Sequence, residues 1–304
     1  MAEFVINSEE YMDTRKVKRL YYMLINAKST ATFNLKKMRN KSFSYLANNR
    51  RFKGMHKNQR CFILGNGPSL KEEDLSQLGN EIVFTVNQAS RNPQFGMLKS
   101  NYHFWADPNF FKISKENPED IELLNTMMSA ADFNHDMQCF FPIQQMDFVH
   151  DFGIDKKLNV NYFYTGLYMY DGFSKEIDFA KCVAGFGTVV QWCITMAIYM
   201  GFKEIYLLGC DNTSIITTVK SVLHKNDDSD YAYNVSENEK KRMEKMLANS
   251  SLEAYLQSYL RTLQDYRRLY DYCRERGIEL VNCSAETVID SIPKMRLIDV
   301  LKRE

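Results

Sequence analysis

Residues 60–89 read RCFILGNGPSLKEEDLSQLGNEIVFTVNQA. An apolar run, residues 61–64, stops abruptly at Gly65-Asn66-Gly67-Pro68-Ser69-Leu70. A short polar stretch that reads as a helix follows, then a second apolar run over 82–86, ending in Asn87-Gln88. Short apolar runs bounded by turn residues fit strands buried on both faces. Read as strand, turn, helix and strand, the segment is half of a Rossmann-type nucleotide-binding unit. Ligands of open α/β sheets bind beyond the carboxyl ends of the strands. Gly65, Asn66, Gly67, Pro68 and Ser69 are therefore expected to form one wall of a site, and Asn87 and Gln88 another.

Working outward, a third strand-like run over 102–106 closes in Asp107-Pro108. Three apolar runs thus end in polar residues, and the repetition says more than the Gly-Asn-Gly turn alone. Glycine suits a sharp turn or a close approach of backbone to phosphate. A helix starting near Ser69 would offer free N–H groups to an anion. Ser69 equally reads as the N-cap of that helix, with Glu72 completing a capping box. Further on, residues 121–133 read as a helix and 139–142 as a strand, while 146–179 are irregular and aromatic, fit for core packing or for stacking on a sugar ring. Gly185-Phe186-Gly187-Thr188 leads into a helix over 191–200, apolar all round and so a buried crossover. Gly187 and Thr188 mark a second candidate anion site at its start. A buried parallel strand over 205–208 ends at Gly209-Cys210-Asp211, which makes Asp211 another strand-end polar residue. Residues 212–250 turn charged and read as a mobile lid or insertion carrying His224, Tyr231 and Tyr233. A long amphipathic helix over 251–276 and a last short strand over 278–281 complete the α/β pattern.

Composition sets the bounds. The chain has 304 residues, 45% of them apolar, and a net charge of +1, enough for a substantial core and neutral as to partner. Seven scattered cysteines without metal-ligand spacing read as buried free thiols in a reducing cytoplasm. The first residues lack a signal-peptide pattern, and no apolar run approaches the roughly 20 residues of a membrane span. Residues 15–60 hold fourteen Lys/Arg and no Asp or Glu, with aromatic residues interleaved. Residues 1–58 are accordingly expected to be a basic helical arm and 59–304 the catalytic body. The arm could be solvated and packed on the acidic remainder, or could contact anionic lipid or an anionic acceptor. Nucleic acid is not expected, since no recognised module for it is visible.

The order of motifs, Gly65-Asn66-Gly67-Pro68-Ser69-Leu70, Asn87-Gln88, then Gly201-Phe202-Lys203-Glu204-Ile205-Tyr206-Leu207 with Gly209 and Asp211, resembles a bacterial group over roughly residues 59–301. That group comprises the CMP-sialic-acid-dependent sialyltransferases of glycosyltransferase family 42, the Maf-type transferases and the MptE-like pterin pyrophosphokinases. The resemblance implies a modified Rossmann (GT-A-like), mainly parallel sheet with flanking helices and a small lid over about 212–250. It implies inverting, metal-independent transfer from a CMP-activated sugar, without a cofactor, to a glycan or lipid-linked glycan acceptor. Asn66 and Asn87 match the positions that hold nucleotide and sugar. Asp107 stands where the sialyltransferases have asparagine. Thr188 matches the phosphate-binding hydroxyl, and Tyr231 and Tyr233 the lid tyrosines.

An inverting transfer needs a base for the acceptor hydroxyl proton, with a pKa near operating pH. His224 is the one histidine in the lid stretch; it is also placed like an ordinary surface residue. Asp107 is the second candidate base, or a ligand of sugar hydroxyls, or a turn residue before Pro108. His103, inside a strand, reads as a core residue. Metal-dependent relatives carry Asp-x-Asp at a strand end; Asp211 lacks such a partner and Asp227-Asp228 sits in a polar stretch, so no metal ligands are assigned. Three functions compete: a cytoplasmic glycosyltransferase of surface-polysaccharide assembly, peripheral on the inner face of the plasma membrane; a pyrophosphokinase using ATP and Mg²⁺ with Asp107 and Asp211; and a non-catalytic nucleotide-sugar-binding protein. Homo-oligomerisation is open.

Overall fold

The computed structural model describes residues 8–114, 116–222, 232, 234–238, 240–242 and 251–303. Its centre is a single eight-stranded sheet: β1 (Arg60–Leu64), β2 (Val83–Val86), β3 (Tyr102–Phe104), β4 (Gln138–Pro142), β5 (Asn159–Leu167), β6 (Cys182–Ala184), β7 (Glu204–Leu208) and β8 (Glu279–Asn282). The strand order is β6-β5-β4-β3-β2-β1-β7-β8, and every neighbouring pair is parallel. The chain adds β2 to β6 outward on one side of β1. It then recrosses the sheet and lays β7 against the other side. That reversal between β1 and β7 is the topological switch point.

Helices flank the sheet: α1 (Ser8–Arg39), α2 (Phe95–Leu98), α3 (Pro118–Phe133), α4 (Met146–Asp151), α5 (Val189–Met200), α6 (Ser214–Val222), α7 (Leu252–Arg274) and α8 (Leu297–Leu301). Alternation along the strands feeds two cores. Cys61, Ile63, Ile205 and Leu207 meet Cys193, Ile194, Met196 and Ala197 of α5 on one face. Phe62, Leu64, Tyr206 and Leu208 join Phe95, Leu123, Met127 and Val300 on the other. The recrossing helix α5 lies between the sheet and α7, which explains its apolar character all round. All seven cysteines are free and buried, as their apolar contexts imply.

Two stretches differ from the sequence reading. No α-helix follows Ser69; two 3₁₀ turns do, Pro68–Glu72 and Leu75–Leu78. Asp74 separates them, because its Oδ1 accepts the Ser76 N–H at 3.1 Å and opens a new turn. The aromatic stretch read as irregular contains β5, with Tyr162 and Tyr164 facing one core and Phe163 the other. Its period of two is hidden by Asn159 and Asn161, poor strand formers, and by aromatic residues on both faces. The following charged stretch begins as α6, a helix packed on α7.

The basic segment is joined to the body along β5. Phe33 and Phe43 stack against Tyr164, with ring centroids 5.5 and 5.2 Å apart. The 3₁₀ segment Lys41–Phe52 buries Phe43, Leu46, Asn49 and Phe52. It also solves an edge problem. Since β6 pairs with β5 only from Tyr164 onward, the start of β5 would present open carbonyls. Asn49 Nδ2 donates to the Tyr162 and Phe179 carbonyls at 2.7 and 2.9 Å. Among the described residues, no helix is long and apolar enough to cross a membrane.

Removing both buried hydrogen bonds in Asn49→Ala should lower the unfolding free energy by about 1–3 kcal/mol. Chemical denaturation checks this as a shifted midpoint at unchanged slope. The exposed neighbour Asn48, replaced by alanine, should change stability by less than ~0.5 kcal/mol.

Candidate functional site

The switch point is zipped rather than open. Beyond the regular ladder, Gly65 N–H donates to the Leu208 carbonyl and Gly67 N–H to the Gly209 carbonyl, each at 2.8 Å. A Cβ on Gly65 would collide with the Gly209 carbonyl, and one on Gly67 would lie 2.6 Å from the Asp211 carboxyl carbon. These two glycines answer to the approach of β7, where the sequence suggested a phosphate. Asp211 completes the closure. It is 1% exposed, accepts the Ser69 N–H at 2.7 Å, and takes a second bond from the Ser69 hydroxyl. Burial pushes the Asp211 carboxyl above the usual carboxylate range, and the Ser69 bonds oppose that. Ser69 therefore caps no helix with Glu72, and its N–H is taken by a carboxylate.

The accessible chemistry lies on either side of this zip. Asn66, half-buried, donates from Nδ2 to the Val86 carbonyl at 3.1 Å, tying the end of β1 to the end of β2. Asn87 follows with φ +48°, a left-handed conformation uncommon for a non-glycine residue. A buried relay supports it. His103 Nε2–H donates to the Asn87 carbonyl at 2.9 Å, and His103 Nδ1 lies 2.7 Å from the Thr85 hydroxyl. The Ser100 hydroxyl stands 2.7 Å behind Thr85. Burial drives the His103 pKa down to about 3, so the ring is neutral; Nε2 carries the proton and Nδ1 accepts from Thr85. His103 is thus the core residue its strand position suggested. Gln88 is buried beside Asn87.

Among the described residues, buried side-chain atoms without a hydrogen-bond partner include Asn87 Oδ1 after β2, Trp105 Nε1 after β3, and Asn212 Nδ2 after β7. Buried polar atoms are nearly always paired, and here an acceptor and two donors at the carboxyl ends of the strands are not. Asn212 also has a left-handed backbone, φ +55°.

The amino-terminal half of α7 borders the same edge. Tyr259 donates to the Asn212 carbonyl at 2.7 Å and Tyr255 to the Ser214 hydroxyl at 2.9 Å, with the two rings stacked at 5.9 Å. At the start of α5, Thr188 Oγ1 lies 3.1 Å from the Tyr266 hydroxyl, while Gln191 accepts the Thr188 N–H at 3.3 Å and donates to the Thr262 carbonyl at 2.9 Å. Gly187 is glycine because any Cβ would strike the Thr262 hydroxyl. This helix start, read from sequence as an open anion site, is partly covered by α7; what it presents is the Thr188–Tyr266 hydroxyl pair. Burial pushes the Tyr266 phenol far up, so it stays neutral.

Asp107, at the end of β3, accepts the Asn109 N–H at 2.9 Å and caps the turn Pro108–Phe111. Described parts of the 212–250 stretch reach over these strand ends. Ala232 N–H donates to the Asn66 carbonyl at 3.0 Å, the Arg242 guanidinium lies 4.9 Å over the Phe110 ring, and Ser236 and Asn238 bond Glu122 of α3 at 2.7 and 2.9 Å. His224, Tyr231, Tyr233 and the Asp227-Asp228 pair lie outside the described residues. None of the other histidines is placed to act as base: His103 is sealed in the relay, His56 bonds Tyr102 and Gln59 at the amino end of the sheet, His135 precedes β4, and exposed His150 pairs with Asp155. Among the described residues, no three His, Cys, Asp or Glu cluster to hold a metal. Asp107 and Asp211 follow strands three positions apart, a separation of about 14 Å from the inter-strand spacing. They do not fit one shared cation.

A family model described as 6-hydroxymethylpterin diphosphokinase MptE-like matches residues 29–215. The chain belongs to this family. The match takes in β1 to β7 with their carboxyl-edge loops, and part of α1. No curated protein matches this MptE-like chain. Among solved structures it is similar to the sialyltransferase CstII from Campylobacter jejuni, determined with the substrate analogue cytidine-5'-monophosphate: 20% identity, TM-score 0.43, over 79% of this chain and 85% of that one. It is also similar to the Maf glycosyltransferase from Magnetospirillum magneticum AMB-1: 14% identity, TM-score 0.43, over 84% of this chain and 37% of that one. Likenesses so distant leave the chemistry to be read from the residues.

Trp105, Asn212, Tyr255 and Tyr259 were not singled out in the sequence. Trp105 and the two tyrosines sit inside apolar or amphipathic patterns that fully explain them. Asn212 was findable, since it follows Asp211 at a strand end.

The relay carries a pH signature for the MptE-like chain. His103 has a folded pKa of about 3 against 6.5 when exposed. Its contribution is fully present above about pH 6.5 and is lost as pH falls toward 3, because the unfolded chain binds the proton first. Between pH 7 and 5 stability should fall by on the order of 2 kcal/mol from this group alone. His103→Gln should flatten that limb in denaturation titrations; an equally steep limb in the variant assigns it to other groups.

Proposed function

We propose that the chain is a glycosyltransferase that takes a sialic-acid-like sugar from a CMP-activated donor, by inversion and without a metal ion. The observation that carries this reading is the set of three unpartnered polar atoms, Asn87 Oδ1, Trp105 Nε1 and Asn212 Nδ2, aligned with the carboxyl ends of β2, β3 and β7. An acceptor amide beside a second amide, Asn66, suits the hydroxyls and base amine of a nucleotide sugar. The Thr188 hydroxyl at the start of α5 suits a phosphate that gains charge as it leaves. The motif order shared with the CMP-dependent sialyltransferases points the same way.

In the transfer, the acceptor hydroxyl oxygen bonds to the anomeric carbon as the bond from that carbon to the phosphate oxygen breaks. The phosphate leaves with the electron pair as CMP, and the hydroxyl proton passes to a base, for which His224 and Asp107 are the candidates. Tyr231 and Tyr233 belong to the same proposal as donors to the phosphate, and Gly65, Gly67, Pro68 and Gln88 as the walls that position Asn66 and Asn87. The acceptor is a bacterial surface glycan or its lipid-linked precursor, and the enzyme works from the cytoplasmic side.

The family description favours a second reading, diphosphate transfer from ATP. Magnesium in such sites is held by one or two carboxylates together with substrate phosphates. Asp107 and Asp211, about 14 Å apart and with Asp211 engaged by Ser69, do not supply a pair.

A thermal-shift screen with CMP, UDP, GDP and ATP, each with EDTA or Mg²⁺, separates the two, because a ligand of the folded state raises stability by RT ln(1 + [L]/Kd). The expected result is a CMP shift unaffected by EDTA. Donor hydrolysis should follow for a CMP-sugar, and Asn87→Ala should weaken CMP binding by roughly tenfold or more. The absence of both CMP binding and turnover of any nucleotide sugar sinks the proposal, and an ATP shift that requires Mg²⁺ replaces it with the second reading.

A further inference from the structure

Helix α1 has two apolar faces, and only one is used. The inner face carries Tyr22, Asn26 and Phe33 against β5 and the segment after it. Asn26 makes a pair of bonds to the Tyr168 backbone at 2.8 and 2.9 Å, and Tyr22 stacks on Tyr170 at 6.2 Å. On the opposite side, Val17, Leu20, Tyr21, Leu24, Leu35 and Met38 follow helical spacing and are 59–84% exposed apart from Leu35 at 52%. Ala31 lies on the same line, exposed. A stripe of this length on a helix already anchored by its other face needs an occupant.

Charge identifies the occupant. Residues 15–60 contain fourteen Lys/Arg and no carboxylate, and the rest of the chain carries the compensating negative charge. That compensation is not used locally. Among the described residues, Lys16, Lys18, Lys28, Lys37, Arg39 and Lys41 make no ion pair, and all are exposed. Free cations flanking an exposed apolar stripe are the composition of a helix that lies in the interface of an anionic membrane. A second copy of α1 fits less well, since pairing two such helices along the stripe over 17–38 would bring cations together, and the carboxylates of α1, Glu9, Glu10 and Asp13, all precede that stripe.

We infer that the outward face of α1 docks the protein on an anionic lipid bilayer. The docking has a direction. Phe33 rests on Tyr164 and Tyr22 beside Tyr168, so α1 runs antiparallel to β5 and its amino-terminal half extends past the carboxyl edge of the sheet. Val17, Leu20, Tyr21 and Leu24 are on that half. Arg261 of α7 lies over the Tyr168 ring at 5.0 Å, which brings the helix bordering the candidate site to the same place. A bilayer held along α1 lies parallel to β5, with the candidate site beside the amino-terminal half of the helix.

Co-sedimentation of the full chain with phosphatidylcholine vesicles, with and without phosphatidylglycerol, tests the docking. No donor or turnover is needed, so its failure leaves the proposed reaction untouched. The chain should bind only the anionic vesicles and be released by salt. The pairs Leu20→Glu with Leu24→Glu, and Lys16→Glu with Lys28→Glu, should each cut binding by roughly tenfold or more, with melting temperatures unchanged because all four positions are exposed. Equal binding to neutral vesicles, or anionic binding that survives both pairs, overturns the inference. So does a dimer, seen by analytical ultracentrifugation, that the leucine pair dissociates.

Discussion

The pairing of β1 with β7 is the contact on which the rest of the molecule depends. It joins the first strand of the sheet to a strand that arrives only after the chain has built five others and returned. Two glycines just after β1 and Gly209 just after β7 let the backbones stay in contact beyond the regular ladder, and Asp211 closes the seam on Ser69. A side chain at Gly65 or Gly67 would wedge the seam open, and β7, β8 and α7 would lose their place. With the seam closed, the edge has two polar regions, one around Asn66 and Asn87, the other around Asn212 and the tyrosines of α7.

Much of this was legible in the sequence, for identifiable reasons. Strands β1, β2, β3 and β7 are short apolar runs with turn residues after them, so both their existence and their polar ends could be read. Helices α5 and α7 have full-length periodicity and clear stops, Gly201 and Gly277, both with positive φ. β5 was missed because asparagines and tyrosines carry its alternation, and only the packing of α1 and Asn49 against it makes those residues sensible. The packing role of the Gly65–Gly67 pair was not visible in the sequence for a related reason. A glycine needed for a neighbouring strand and one needed for a phosphate look alike in a sequence, and only the position of Gly209 and Asp211 distinguishes them.

The site shows how strain is held locally. Asn87 adopts a left-handed conformation, which costs roughly 1 kcal/mol for a non-glycine residue. The bond from a neutral, fully buried histidine to its carbonyl holds it there. The side chain is left with a buried oxygen that has no hydrogen-bond partner. Conformation and relay are one device: His103 is sealed in the core, yet its bond to the Asn87 carbonyl fixes the backbone of the residue that ends β2.

The return of the chain also has a consequence for biosynthesis. Arg60 pairs with Glu204, 144 residues later. At translation rates of about 5–20 residues per second, β1 waits roughly 7–30 s on the ribosome before its second neighbour exists. During that interval one side of β1 is an open row of backbone donors and acceptors beside Cys61, Phe62, Ile63 and Leu64, the kind of edge that recruits other chains. The early segment that precedes it is strongly cationic, so nascent chains repel one another while the seam is incomplete. The same run of lysines and arginines that marks α1 in the finished protein thus also keeps growing chains apart until β7 arrives.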